Sequence, residues 1–498
     1  MAVPTRFAVA ALALLTALAL SFQTALQLDI GTAETLATAQ FVGAMTFIVL
    51  TVAILHRTTV HPYIFFALTA SLFLGGRFVA RLLGSEAPVF YDEAFKIVDL
   101  SATEALALMS IVTPSFLAIH AGYMLFWGLR CDRDPIDKMA PESSQFQRSL
   151  AWPATVLLVV SAPLAFHGII DQYQACFTGD YLSIYAQGTE FATRFGTLGQ
   201  YGILLATGLA FASRRKWLEI VAISVFAAIS LATFGLGIRS GFLAFILLAT
   251  WMTHKRVRRL NVLTIFIVPA LALVLAQGAA AFSCRTSMMA TEEVAGSMAT
   301  RLDYFTHSLV PTKLLTFAHS QGTSIISIHA AGTVDSYPWP AYVQTFVPGF
   351  GAAASISGTA FALSDLYFGQ HMAKEWMPDR YALGEGFGWS IVSDLAVFSN
   401  KNHLALVLFG SVAGFAFAAL VSAAARSALW FGALVVIMPK LVLLPRAGLY
   451  SIFPYLLAFL VIAAGWWVFM QIVRLALAKR QDRRKAAVRI FGGRSSGL

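Results

Sequence analysis

Four arginines sit singly at the outer membrane boundary or in the outer loops. Arg239 lies in Gly-Leu-Gly-Ile-Arg-Ser-Gly-Phe-Leu between two short apolar segments, Arg194 in Arg-Phe-Gly-Thr-Leu-Gly, and Arg446 in Pro-Arg-Ala-Gly-Leu-Tyr. Arg380 falls near the end of a long stretch with no apolar run of spanning length. A lone guanidinium between apolar helices is expensive unless an anion meets it. Its planar fork of donors matches phosphate oxygens bidentately, so a group of such residues suits a diphosphate carried on a lipid. The alternative for each is an interfacial arginine whose stem covers apolar surface while its head reaches lipid headgroups. Arg239 favours the ligand reading, because Gly235, Gly237 and Gly241 let backbone approach a bound group closely. Arg77 and Arg81, one helical turn apart, either extend the same anionic site or pair with Glu86, Asp92 or Glu93.

Proton transfer needs a base held near a hydroxyl. The stretch 283–402 offers Asp303, His307, His319, His329, Asp365, His371, Glu385 and Asp394. Glu385 is flanked by glycines that imply a constrained loop, and Asp394 follows that loop on an apolar run; a solvated surface role is the alternative for each. The chain has no Walker loop, no His-Glu-x-x-His and no paired Cys-x-x-Cys, and its histidines lack close metal-ligand spacing, so neither cofactor nor metal is expected. Asp132-Arg133-Asp134 sits in a short basic loop and reads as a solvated charge cluster.

The elements that must position these residues are membrane helices. The chain is 58% hydrophobic and 12% charged, with a mean hydropathy of +0.73, far from the composition of soluble proteins. Apolar runs begin near Phe7, Ala37, Pro62, Thr103, Ala151, Gly196, Leu218, Gly241, Asn261, His403, Leu429 and Tyr450. At roughly 20 residues per crossing they predict an all-α polytopic protein of about twelve transmembrane helices. The pair from Leu218 to Met252 reads as a tight hairpin or one re-entrant unit. The expected organisation is a membrane domain over 1–282 with the first nine helices, a periplasmic loop subdomain over 283–402, the last three helices over 403–473, and a basic cytoplasmic tail over 474–498. Within 283–402, helices are expected over Ser297–Ala318 and Ser357–Met372, and Ile391–Phe398 follows a turn.

Charge orients the chain. Most bases outside 283–402 sort to one side (Arg6, Arg57, Arg130, Arg133, Lys138, Arg148, Arg214, Arg215, Lys216, Lys255, Arg256, Arg258, Arg259 and Arg426), which the positive-inside rule makes cytoplasmic together with both termini, against Arg77, Arg81, Lys96, Arg194, Arg239, Lys440 and Arg446 on the other. Phe7–Leu26 is therefore a retained helix rather than a cleaved leader. The net charge of +10 owes much to the tail, which suits anionic lipid rather than nucleic acid, whereas acids outnumber bases in 283–402. Cys176 and Cys284 fall on the outer side, where an oxidising compartment permits a disulfide, and two unpaired cysteines are the alternative.

With Arg239-x-x-x-Leu243 opening a helix and one long outer loop before the last helices, the chain resembles the O-antigen polymerase and ligase superfamily of bacterial envelope polysaccharide synthesis. Phe346-Val347-Pro348-Gly349, then Ser357-Gly358, then Gly384-Glu385-Gly386-Phe387-Gly388-Trp389-Ser390 is similar to the long-loop pattern of its repeat-unit polymerase branch. After Ser390 the sequence departs from that pattern, with Asp394 and Phe398–Asn402 where an acidic, aromatic, Gly-rich run is expected. The resemblance implies transfer of a growing glycan from undecaprenyl diphosphate to a sugar hydroxyl of the next lipid-linked repeat, at the periplasmic face of the bacterial inner membrane. Arg239, Arg194, Arg380, Arg446 and Arg301 would then bind the diphosphate, and Glu385, Asp394 or His371 would take the acceptor proton. Trp339, Tyr342, Trp376, Tyr381 and Trp389 either stack on sugars or pack a core. The implied partners are lipid-linked glycan donor and acceptor, membrane lipid and a chain-length regulator. The competing readings are a ligase that moves finished polymer to a final acceptor, a flippase for lipid-linked sugars, and a non-catalytic membrane subunit.

Overall fold

The computed structural model describes residues 1–90, 100–130, 145–178, 191–236, 239–256, 324–331, 368–376, 378–379, 389–400 and 402–492, with single positions at 260, 263, 267, 271 and 274. Every regular element among them is helical. In chain order these are α1 (Val3–Ser21), α2 (Ile30–His56), α3 (Pro62–Phe73), α4 (Gly76–Leu82), α5 (Ala102–Leu129), α6 (Gln145–Ser149), α7 (Ala151–Thr178), α8 (Phe191–Ser213), α9 (Lys216–Gly235), α10 (Arg239–Arg256), α11 (Ser324–Ala331), α12 (Phe368–Trp376), α13 (Ile391–Phe398), α14 (His403–Arg426), α15 (Ala428–Leu441) and α16 (Phe453–Gly492). Local chemistry sets several starts. Asp29 caps α2 through the Thr32 amide at 3.0 Å, Asn402 caps α14 through Ala405 at 3.1 Å, and Ser101 with Glu104 forms a reciprocal capping box on α5.

Among the described residues eight helices are long and apolar enough to cross a membrane, or nine if the pair α3–α4, bent by 74°, is one span. The expected count of about twelve is not reached among the described residues. Gly, Thr and Gln fill the first half of α8, and α10 ends on His254-Lys255-Arg256, so neither has the uninterrupted apolar length. The helix expected from Asn261 lies outside the described residues apart from single positions. α9 and α10 form the tight hairpin: Phe234 meets Phe242 at 4.4 Å and Phe226 meets Phe245 at 5.6 Å, which is antiparallel pairing.

Contacts between helix ends sort the bundle into two ends. At one, Arg6 donates to the Trp127 carbonyl at 2.8 Å, His56 meets the Tyr123 hydroxyl at 2.6 Å, Thr58 meets His254 at 3.1 Å, and Arg474 donates to Gln145 at 3.0 Å. The basic residues of the start of α1 and of the ends of α2, α5, α8, α10 and α14 gather there. At the other, Gln23 reaches the Leu106 carbonyl, Phe22 faces His403 at 6.3 Å, and Tyr201 donates to the Pro454 carbonyl at 2.7 Å. The start of α1 and the end of the described chain lie at the basic end.

The helix α5 forms the axis of the core, buried along most of its length. Close packing in the bundle depends on small residues, as it does between membrane helices generally. A Cβ on Gly414 of α14 would overlap the Ile119 carbonyl, and one on Gly208 of α8 would lie 2.7 Å from the Gly432 carbonyl of α15.

Candidate functional site

At the end opposite the basic cluster, the short helices α11 and α13 pack on each other and on α5, and α12 packs on α11. None exceeds nine residues, about 14 Å at the helical rise, too short to cross a bilayer. Ser390 starts α13 by accepting the Ser393 amide at 3.0 Å. The Ser393 hydroxyl lies 2.8 Å from that of Ser390 and 2.9 Å from that of Ser327 on α11, and Ser327 donates to the Ser324 carbonyl at 2.7 Å. These buried hydroxyls join α11 to α13 beside an apolar seam of Ile325, Ile328, Val392 and Leu395.

One residue later on α13, Asp394 is 0% exposed. Its Oδ1 accepts the indole N–H of Trp389 at 2.7 Å, and its Oδ2 accepts the backbone N–H of Leu449 at 2.5 Å. Leu449 belongs to the segment between α15 and α16, which makes two short 3₁₀ turns, Leu444–Arg446 and Leu449–Ser451. Gly448 is required between them, because a Cβ there would stand 2.7 Å from Asp394 Oδ2 and 2.8 Å from the Tyr450 ring. Thr69 of α3 ties down the start of the same segment by bonding the Val442 carbonyl.

One cation lies within this segment and another just before it. Arg446 ends the first turn, is exposed, and lays its guanidinium over the Phe73 ring at 5.2 Å. Lys440, half-buried in the last turn of α15, sits over the Tyr455 ring at 5.1 Å, and Tyr455 in turn lies 4.4 Å from Tyr201. Lys440 was not singled out as a site residue from sequence. Its signal was a lysine inside an apolar helix, six residues before Arg446.

Arg239 opens α10 and Arg194 lies in the first turn of α8, both at this end of the bundle. Helix N-termini carry partial positive charge, so backbone and side chain favour an anion at the same place. The side chains of Arg194 and Arg239 lie outside what is described, as do Arg301, Arg380, Glu385, Trp339, Tyr342, Tyr381, Cys284 and the side chain of Cys176. His371 is half-buried on α12. On the same helix Trp376 meets His329 of α11 edge to face at 5.8 Å. Burial holds the His329 imidazole below its ordinary pKa, opposed by the Glu104 carboxylate. Trp389 is 2% exposed and bonded to Asp394, so it packs the core and presents no face to a sugar.

Arg77 is buried on α4 and donates to the Val89 carbonyl at 3.2 Å, while Glu34 of α2 accepts the Val89 amide at 3.1 Å. Arg81 donates to the Ser85 carbonyl at 3.3 Å. The pair thus anchors the chain after the α3–α4 bend, and Asp92 and Glu93 lie outside the described residues. No three His, Cys, Asp or Glu side chains gather among the described residues.

The family model described as O-antigen polysaccharide polymerase Wzy matches residues 13–479. Neither a curated protein nor a solved structure matches the chain.

Proposed function

The chain belongs to the O-antigen polysaccharide polymerase family, and on that premise we propose that it joins undecaprenyl-diphosphate-linked repeat units at the periplasmic face of the inner membrane. The observation that supports this reading is that Arg446, Lys440 and the helix starts carrying Arg194 and Arg239 all lie at the end of the bundle opposite the basic end. The positive-inside rule makes that basic end cytoplasmic and the site periplasmic.

In the proposed step a sugar hydroxyl of the acceptor repeat attacks the anomeric carbon of the donor glycan. The bond from that carbon to the phosphate oxygen breaks, the lipid diphosphate leaves, and the hydroxyl proton passes to a base. Arg239, Arg194 and Arg446 hold the diphosphate and offset the charge that grows on it, with Arg380 and Arg301 supplying further donors from 283–402. Glu385 or His371 takes the proton.

The test is a gel of envelope and secreted polysaccharide from a deletion strain complemented with wild type or Arg239→Ala. Single-repeat product in place of a ladder, in both the deletion and the variant, supports polymerisation with Arg239 in the site. Full-length polymer that stays on its lipid carrier would indicate a ligase, and an unchanged ladder would end the proposal.

A further inference from the structure

We propose that Asp394 is a positioning residue, which holds the 442–452 segment so that Arg446 meets the diphosphate, and that it does not receive the acceptor proton. The inference rests on the reading that Arg446 contacts that diphosphate.

A general base needs a lone pair open to the hydroxyl it deprotonates, within about 2.6–3.2 Å. Asp394 is 0% exposed, and each carboxylate oxygen is already engaged, one by the Trp389 indole and one by the Leu449 amide. Substrate could reach it only if one of those bonds broke and α13 parted from the segment it grips.

The same geometry is suited to holding. The Leu449 amide opens the second 3₁₀ turn, and Arg446 closes the first, only three residues earlier. The Arg446 amide donates to the Leu443 carbonyl at 2.7 Å and the Ala447 amide to the Leu444 carbonyl at 3.2 Å, so the backbone carrying Arg446 is itself rigid. With Thr69 holding Val442 at one side and Asp394 holding Leu449 at the other, Arg446 is suspended between two anchors. A bond from a charged or polar carboxyl to a backbone amide fixes position without selecting a side chain, which is what a hinge-free loop requires. Gly448 shows how close the grip is, since no Cβ fits beside the carboxylate. Trp389 completes the device by orienting Asp394 from two residues before the start of α13.

The experiment uses the full-length protein in liposomes with lipid-linked repeat units isolated from a deletion strain. It compares Asp394→Asn, Arg446→Ala, their double variant, and Gly448→Ala. Asn still accepts the indole but turns its N–H2 toward the Leu449 amide, so one anchor is lost. Asp394→Asn is expected to raise KM for the donor about tenfold, with kcat within about threefold and the pH profile kept. Because Asp394 acts through Arg446, the double variant should be no worse than Arg446→Ala alone. Gly448→Ala, which displaces the carboxylate without removing it, should reproduce the rise in KM and decides the matter if Asp394→Asn does not fold.

A fall in kcat of about 10²-fold or more with the basic limb of the pH profile lost would make Asp394 a base and overturn the inference. So would a double variant well below both singles, or an unchanged KM in Gly448→Ala. If Arg446→Ala leaves KM unchanged while Arg239→Ala abolishes the ladder, the Arg446 contact and this inference fail and the proposed function stands.

Discussion

Gly122 of α5 lies flush against Ser411 of α14, so that a Cβ on Gly122 would overlap the Ser411 carbonyl and lie 2.8 Å from its Cα. One turn away Gly414 faces Ile119 in the same manner, and the two helices therefore meet backbone to backbone. Gly122→Ala should force them apart and cost about 1–3 kcal/mol of stability. Thermal unfolding in detergent measures it; an unchanged transition would mean that α14 is free to shift at this crossing.

Arg239 is expected to act on the charged transition state rather than on the fold. It opens α10 after the break that follows Gly235, away from the packed middle of the hairpin. Arg239→Ala should lower transfer about 10²–10³-fold, the size of effect seen when one donor to a developing anion is removed. Arg239→Lys should recover part of that, because the charge remains and the bidentate fork does not. Turnover of lipid-linked repeats in liposomes separates the two.

Lys440 offers a contrast between binding and packing. Its contact with Tyr455 at a half-buried site is worth about 1 kcal/mol, so Lys440→Met should alter unfolding only slightly. If the ammonium faces the lipid diphosphate, the same variant raises KM for the donor about tenfold. A lysine that merely reaches headgroups would leave KM where it was.

The packing of α11 on α12 should weaken in mild acid. The His329 pKa is lowered by burial, so the folded state binds its proton less readily than the unfolded chain does. Its contribution is complete above the unfolded value of about 6.5 and is lost as pH falls toward the folded value. Glu104 narrows that window by favouring the imidazolium. Melting curves from pH 7.5 to 5 should show a decline that His329→Phe removes; the same decline in both proteins would assign it to other groups.

Much of the fold was legible because membrane insertion is read one segment at a time. Long apolar runs and the sorting of basic residues to one end follow from local composition; the caps at Asp29, Ser101 and Asn402 are equally local but were not read from the sequence. Helix number was less legible. The runs at Gly196 and Gly241 form helices whose polar or basic residues leave them short of a full apolar span, and hydropathy does not show which helices a bundle can shelter. At the site, Arg446 and Asp394 were picked out individually, but their relation was hidden. Asp394 meets an amide 55 residues away, and Lys440 meets a ring beyond the next turn.

The sequence by itself determined the class of this protein, its helical character and the residue types available for anion binding, because hydropathy, capping and charge are properties of neighbouring residues. Only the tertiary structure decided that α9 and α10 are a hairpin, that Trp389 packs inside, and that the Asp394 carboxylate is spent on a backbone amide. Each of those depends on which buried donor finds which acceptor, and burial is a property of the assembled chain.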